Sequence, residues 1–430
     1  MKRIAICIDG TWNRPDAANP TNVVRLSRCI LPNDVDGNVQ EVIYCPGVGC
    51  GRGNNWLNRR LDRLFGGALG WGLTDIIEEA YRNLIFAYEP GDEIYIFGFS
   101  RGGFAARSLA GLIRCCGIPP RRFVGRIPEA MARYISRDPS THPEDPSSYQ
   151  FREEFAPDTA TSGKDFKWRI DRQDTRAIRL TLAYLGIWDT VKALGIPAFL
   201  PYSDRFNMQY VFHDADLSSS VTAARHAMAI DEQRITFPAA PWGNLDKLNA
   251  DTPDDQVQPY AQQWFPGNHG SVGGGGSREG LSSVALHWIT QGAERAGLAI
   301  SWEEFDRVAG RFAPHKDPLI NKFGPVGLSG AFLNTIKAHR DGPKELENLS
   351  VAALDRVQHD PSYRPQTLNF VLDDLRDKPA SEIAALRDWL VARDGGGTHE
   401  VDGTLRPRGW EPPRDAAAHG GLKPTLRQII

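Results

Sequence analysis

The chain has 430 residues, 41% of them hydrophobic and 24% charged, with a formal net charge of −3. That is enough apolar material for a large core, and the balanced charge excludes the broad basic field by which proteins hold nucleic acid. No apolar run approaches the ~20 residues of a transmembrane helix. The N-terminal "MKRIAICIDGTWN" carries an apolar run too short for a secretory signal. The expectation is therefore a cytoplasmic protein, with export by a system that cleaves no signal left open. Cys7, Cys29, Cys45, Cys50, Cys115 and Cys116 form no metal-type pair of pairs and read as free thiols in a reducing compartment. Neither metal nor cofactor is expected.

Strand and helix patterns alternate from the N-terminus. Lys2–Ile8 reads as a strand ending in the loop "DGTWN". "NVVRLSRCI" reads as a helix entered through Pro20 and Thr21. "QEVIYCPGVGCGRG" is a second strand running into a glycine-rich loop, and "GWGLTDIIEEAYRNLIFAY" has helical periodicity. "DEIYIFGFS" is a third strand, followed by the helix "RGGFAARSLAGLIRCCG". "AIRLTLAYLGIWDTV" and "QQWFPGNHGSVGGGG" read as fourth and fifth strands. This alternation predicts an α/β fold, a mostly parallel sheet with helices on both faces. Ligands bind such sheets outside the carboxyl ends of the strands. The loops "DGTWN", "PGVGCG", "GFSRGG", "IWDTV" and "PGNHGS" all fall at that edge.

Two stretches break the alternation. Pro119–Thr175 is rich in Arg, Asp, Pro and Ser, and is expected to be an insertion over the strand ends, a lid or a solvated surface loop. Pro238–Pro259 is similar but shorter. Residues 1–365 read as one catalytic domain and 366–430 as a helical extension with a loosely ordered Gly/Pro-rich tail.

Ser100 stands between Gly98 and Gly102 where a strand meets a helix. A serine on such a turn presents its hydroxyl beside a helix N-terminus, the arrangement of a nucleophile elbow. A serine hydroxyl needs a base, and the base an orienting acid. In α/β-hydrolases the order is serine, acid, histidine. The next acid at a strand end is Asp189 in "GIWDTV", and the next histidine at a strand end is His269 in "WFPGNHG". Taken singly, Asp189 also reads as a helix cap and His269 as a hydrogen-bonded loop residue. The oxyanion donors expected are the N–H of Arg101 and one from Gly10 or Thr11. Asp9, Trp12, Gly47 and Gly49, in the neighbouring loops, are candidate substrate contacts.

"CIDGTWN", "YCPGVGCG", "FGFSRGGFAAR", "LGIWDTV", "RHAMAIDEQR" and "WFPGNHGSVGGG" together resemble the catalytic domain of the class-one type VI secretion lipase effectors, from about Lys2 to about Pro365. The resemblance implies an α/β-hydrolase-like fold, a serine–aspartate–histidine triad at Ser100, Asp189 and His269, and phospholipase activity on glycerophospholipids. Its implied partner is a lipid or other ester, with peripheral membrane contact. Where the family usually has an aspartate two residues after the histidine, this chain has Ser271. Small-molecule esterase, thioesterase and non-catalytic binding protein are the alternatives. The "IDGTW" turn also suggests a haloacid-dehalogenase-type phosphatase, but Cys7 occupies the place of that aspartate nucleophile. "GVGCGRG" lacks the Lys-Ser/Thr ending of a Walker loop.

Overall fold

The computed structural model describes residues 1–10, 13–47, 71–191, 216–235, 237–253, 256–309, 314, 316–321 and 338–394, together with the backbone of 398–401 and 404–407. Thr11, Trp12, Gly49 and Cys50 lie outside the described residues, as does the tail beyond 407.

Six strands form one parallel sheet: β1 (Arg3–Ile8), β2 (Gln40–Cys45), β3 (Glu93–Phe99), β4 (Thr181–Trp188), β5 (Ala224–Ala229) and β6 (Tyr260–Phe265), in the order β2-β1-β3-β4-β5-β6. The architecture is α/β, as the alternation requires. β1 and β5 are buried along their whole length and β3 from Ile94 on, the mark of a sheet covered on both faces. Helices α1 (Asn22–Cys29), α2 (Trp71–Ala87) and α3 (Arg101–Cys116) follow β1, β2 and β3.

The chain leaves β1 for β2 on one side and then returns to place β3 on the other. The strand order thus reverses between β1 and β3, which opens a crevice at their carboxyl ends. The register sets the strand ends side by side there. Ile8 pairs with Gly98, Phe99 with Trp188, Trp188 with Ala227 and Ala229 with Phe265.

β5 is a strand that the sequence pattern missed. Its Arg225 and His226 are buried at 4% and 0% exposure and interrupt the apolar run. The fifth expected strand, 262–276, is shorter than its pattern. It stops at Phe265, and Gly267 at φ 103° turns the chain into the short helix α7, His269–Gly273.

Residues 119–175 fold into α4 (Ile127–Ile135), α5 (Pro146–Phe155) and α6 (Gly163–Asp171). Ile127, Ala130, Met131, Tyr134 and Phe155 join one core cluster with α2 and α3. Arg152, completely buried, pairs with Asp165 at 2.7 Å and donates to the Cys115 carbonyl at 2.9 Å. These contacts lie at the C-terminal end of α3, whereas Ser100 precedes its N-terminus. The segment expected to be a lid or a solvated surface loop over the strand ends is packed as a helical layer of the core.

On the opposite face, α1 and α8 (Gly280–Arg295) cover the sheet with α9 (Trp302–Val308) beyond them. A third cluster joins Met228, Ile230 and Trp264 to α10 (Val351–His359), α11 (Leu372–Asp377) and α12 (Ala380–Arg393). This core runs across the boundary expected at 365 and continues to Leu390. Asp394 ties the end of α12 to the sheet through Gln263 Nε2 at 2.7 Å and to α8 through Trp288 Nε1 at 2.8 Å.

Candidate active site

Ser100 follows the last residue of β3 with φ 59° and ψ −122°, and it caps α3 without a capping bond from its side chain. A non-glycine residue in this region is strained and is held there by its surroundings. The surroundings here are glycines. A Cβ on Gly98 would lie 2.3 Å from the Gly102 carbonyl oxygen. One on Gly102 would lie 2.3 Å from the Ile8 oxygen and 2.5 Å from the Asp9 oxygen. One on Gly103 would meet Thr190 Oγ1 at 2.3 Å. The motif "GFSRGG" therefore lets the first turn of α3 press directly onto the ends of β1 and β4. The Ser100 N–H donates to the Trp188 carbonyl at 3.0 Å, extending the β3–β4 ladder by one step.

Asp189 is the corresponding residue after β4. It too has positive φ, 37°, and is completely buried. Aspartate tolerates this conformation better than most residues. Its Oδ2 lies 2.5 Å from His269 Nδ1. Its Oδ1 accepts the Ala229 N–H at 2.8 Å. Arg340 closes the other side of the carboxylate, with Nη1 at 2.6 Å from Oδ1 and Nη2 at 3.0 Å from Oδ2. The same guanidinium donates to the Ala229 and Phe237 carbonyls. Burial by itself would push the Asp189 carboxyl up, but Arg340 and His269 hold it well below the ordinary carboxylate range.

His269 begins α7. Its backbone N–H donates to Glu232 Oε2 at 3.2 Å, and Glu232 is paired with Arg234 at 2.7 Å. The imidazole lies between two rings. Phe99, the residue before Ser100, has its centroid at 4.6 Å, and Phe237 meets it edge-on at 4.8 Å. The histidine is thereby brought back over the end of β5 to Asp189 and to the β3 terminus. Burial pushes its pKa below the ordinary imidazole value, against the opposing pull of Asp189.

Other expected site residues have different roles in the packing. Asp9 is 1% exposed. Its carboxylate accepts from its neighbour Gly10 N–H at 2.7 Å, from Thr21 Oγ1 at 2.8 Å and from Tyr44 OH at 2.8 Å. Burial pushes this carboxyl up to about 6, against those hydrogen bonds. Asp9 thus pins the loop after β1 to α1 and β2. Because the Gly10 N–H is spent on Asp9, it is not directed at the crevice. What glycine supplies there is closeness: a Cβ would lie 3.3 Å from the Phe99 oxygen and 2.9 Å from Asn13 Nδ2. Gly47 is buried beyond the end of β2. Arg101, half-buried, is the first residue of α3, where N–H groups have no carbonyl within the helix.

Ser271 stands apart from the Asp189–His269 contact. Its one hydroxyl proton faces two acceptors, the Leu319 carbonyl at 2.9 Å and Asn268 Oδ1 at 3.0 Å. Asn268 caps α7 through the Ser271 N–H at 3.1 Å. The hydroxyl is structural here, holding α7 against residues 319–321.

Arg340, Glu232 and Phe237 escaped the sequence reading. Glu232 sits within "RHAMAIDEQR", a stretch already distinctive. Arg340 sits in the polar "KAHRDG", which has no local signal of burial.

A parallel sheet with a strained serine, a buried aspartate–histidine pair and glycine-packed loops at one edge defines an α/β-hydrolase-like domain. The chain belongs to the type VI secretion phospholipase effector Tle1-like catalytic domain family, whose model matches residues 2–292. A 243-residue stretch, 55% of the chain, is 29% identical to the uncharacterized protein YEL023C of Saccharomyces cerevisiae. The match covers 32% of that protein, so the chain spans about a third of its relative's length. Among solved structures, an uncharacterized protein from Pseudomonas aeruginosa aligns over 91% of this chain and 62% of its own, at 16% identity and a TM-score of 0.37. The Tle1 effector bound to the VgrG spike of the type VI secretion system aligns over 64% and 51%, at 17% identity and a TM-score of 0.32.

Proposed function

We propose that the chain is a serine ester hydrolase of the phospholipase or lipase type, with Ser100 as nucleophile, His269 as general base and Asp189 as the acid that orients it. One observation carries this reading: the buried 2.5 Å contact between Asp189 Oδ2 and His269 Nδ1 at the strand ends that hold Ser100 at positive φ. The family supports an ester of a phospholipid as substrate.

In this mechanism His269 Nε2 takes the Ser100 proton as Oγ attacks the acyl carbonyl. Asp189 keeps the other ring proton on Nδ1 and stabilises the imidazolium. The tetrahedral oxyanion is met by the Arg101 N–H at the head of α3. The second donor is expected from the loop after β1, where the Gly10 N–H is already committed to Asp9. The imidazolium then gives its proton to the departing alcohol. Water, deprotonated by His269, releases the acid from Ser100.

The test is a hydrolysis screen across phospholipid head groups, acyl lengths and acyl thioesters, run beside covalent labelling with a fluorophosphonate. The wild-type chain should cleave at least one ester class and take the label. Ser100→Ala should do neither. Full labelling of Ser100→Ala, or a wild-type chain inert to both assays, would overturn the proposal.

A further inference from the structure

We propose that Arg340 is a positioning residue of the hydrolytic site, clamping both oxygens of Asp189 so that the carboxylate is aimed at His269 Nδ1 and part of its charge is offset. The proposal rests on the hydrolase reading for its kinetic consequences, but its structural core can be tested without turnover.

The geometry is specific. A guanidinium presents a rigid fork that matches a carboxylate with two parallel bonds, and Arg340 places Nη1 and Nη2 on the two Asp189 oxygens. It also holds the carbonyl of Phe237 with Nε and Nη2, at 3.0 and 2.7 Å. Phe237 is one of the two rings against His269. One side chain therefore fixes both the acid and a wall of the base. His269 and the Ala229 N–H each hold one oxygen of Asp189; the fork adds a second hold on both.

Charge follows from the same contact. Among the described residues, the ionisable groups facing His269 are Asp189 after β4 and Glu232 after β5, the latter neutralised by Arg234. Those facing Asp189 are Arg340 and, through the Thr190 N–H, His226 of β5 at 3.3 Å. Burial pushes His226 down to about 3, so it brings no charge. Arg234 acts on His269 directly and lowers its pKa, whereas Arg340 acts through Asp189, whose charge it offsets. Removal of Arg340 should raise the His269 pKa, by about one unit for a charge at this range.

The experiment uses the full chain. The downfield Nδ1 proton of His269 is titrated by NMR in a Ser100→Ala background, with Arg340, Arg340→Met and Arg340→Lys. kcat and KM are measured across pH for the same Arg340 variants with Ser100 intact. Arg340→Met should raise the His269 pKa and the acid limb of the rate by about one unit, and lower kcat by about 10- to 100-fold with KM within about twofold. Arg340→Lys keeps the charge without the fork, so it should leave the titration near wild type while still lowering kcat. An unchanged titration and kcat in Arg340→Met would overturn the proposal. Should Arg340→Met not fold, wild-type kcat in Arg340→Lys would overturn it equally. An inert wild-type chain would refute the hydrolase reading, and the NMR titration would still decide the clamp.

Discussion

Gly102→Ala is the sharpest test of how the serine turn is built. The added methyl would sit 2.3 Å from the Ile8 carbonyl oxygen and 2.5 Å from that of Asp9. Both are backbone atoms of strand β1 and its exit, and neither has a rotamer to change. Ordinary contact begins near 3.4 Å, so relief needs α3 and the end of β1 to separate by about 1 Å. Overpacking of this kind costs about 1–3 kcal/mol, a Tm loss of a few degrees in a chain this size. The catalytic loss should be larger in proportion. A displacement of about 1 Å at a catalytic group can lower the rate by ~10²-fold, and here it would move the Ser100 turn and the Arg101 N–H together. Gly125→Ala is the control, because a Cβ there meets nothing within 4 Å. The assay pairs thermal melting with fluorophosphonate labelling rate. Gly102→Ala should melt a few degrees lower and label about 100-fold more slowly, with Gly125→Ala indistinguishable from wild type. Wild-type labelling in a folded Gly102→Ala would refute the argument that these glycines set the geometry of Ser100.

Asp189→Asn should fold and lose about 10⁴-fold in kcat with little change in KM, the cost of a mis-set histidine tautomer in a serine triad; turnover within tenfold of wild type would rule Asp189 out as the orienting acid. Because burial lowers the His269 pKa, activity should hold as pH falls from 8 through the ordinary imidazole value of ~6.5 and decline only below it. A midpoint at pH 7 or above, with chemistry limiting, would contradict that sign. His226 and His287 are buried and pushed down to about 3, so their neutral forms stabilise the fold fully above ~6.5, and that contribution is lost as pH falls toward 3. Each group adds a slope of about 1.4 kcal/mol per pH unit in that window. His287→Phe, packed against Trp302 and Phe305, should flatten the dependence of urea stability between pH 6 and 5 by that amount. Excision of residues 119–175 should abolish folding. Ile127, Met131, Tyr134 and Phe155 together bury apolar surface worth about 8 kcal/mol, comparable with the whole stability of a typical domain; a cooperative melt near the wild-type Tm would show the segment to be dispensable.

What was legible in the sequence was whatever depends on local pattern. β1, β3, α1 and α3 fall within a residue or two of their apolar runs, and Ser100, Asp189 and His269 all stand at or just beyond strand ends. What escaped was set by partners distant in the chain. β5 was hidden because Arg225 and His226 look like surface residues. Arg225 is in fact buried against the Trp288 and Asp394 carbonyls, and His226 accepts the Thr190 N–H. The 119–175 segment looked like a solvated cap because its arginines and aspartates dominate the composition. Arg152, Asp165 and Arg169 are completely buried, and with Asp174, which pairs with Arg169 at 3.0 Å, two arginines balance two aspartates inside it. Composition reports charge but not pairing, and pairing decides whether a polar segment lies inside or out.

The charges around the base form a further pattern. Asp189 is matched by Arg340 and Glu232 by Arg234, so with a neutral imidazole these four charges cancel at rest. Asp189 pulls His269 toward the imidazolium and burial outweighs that pull, and a protonated histidine cannot take a proton from Ser100. With Arg340 in place, Asp189 still accepts from Nδ1 and fixes the tautomer, but it does not hold the ring charged. In the proposed attack the positive charge on His269 appears together with the negative charge on the substrate oxygen, a few ångströms apart in a site of low polarity. Each then stabilises the other, and the stabilisation exists only while the bond to Ser100 is forming. A carboxylate paired in advance with an arginine thus costs the enzyme some basicity of its histidine, and in return favours the charge-separated transition state over a charged resting state.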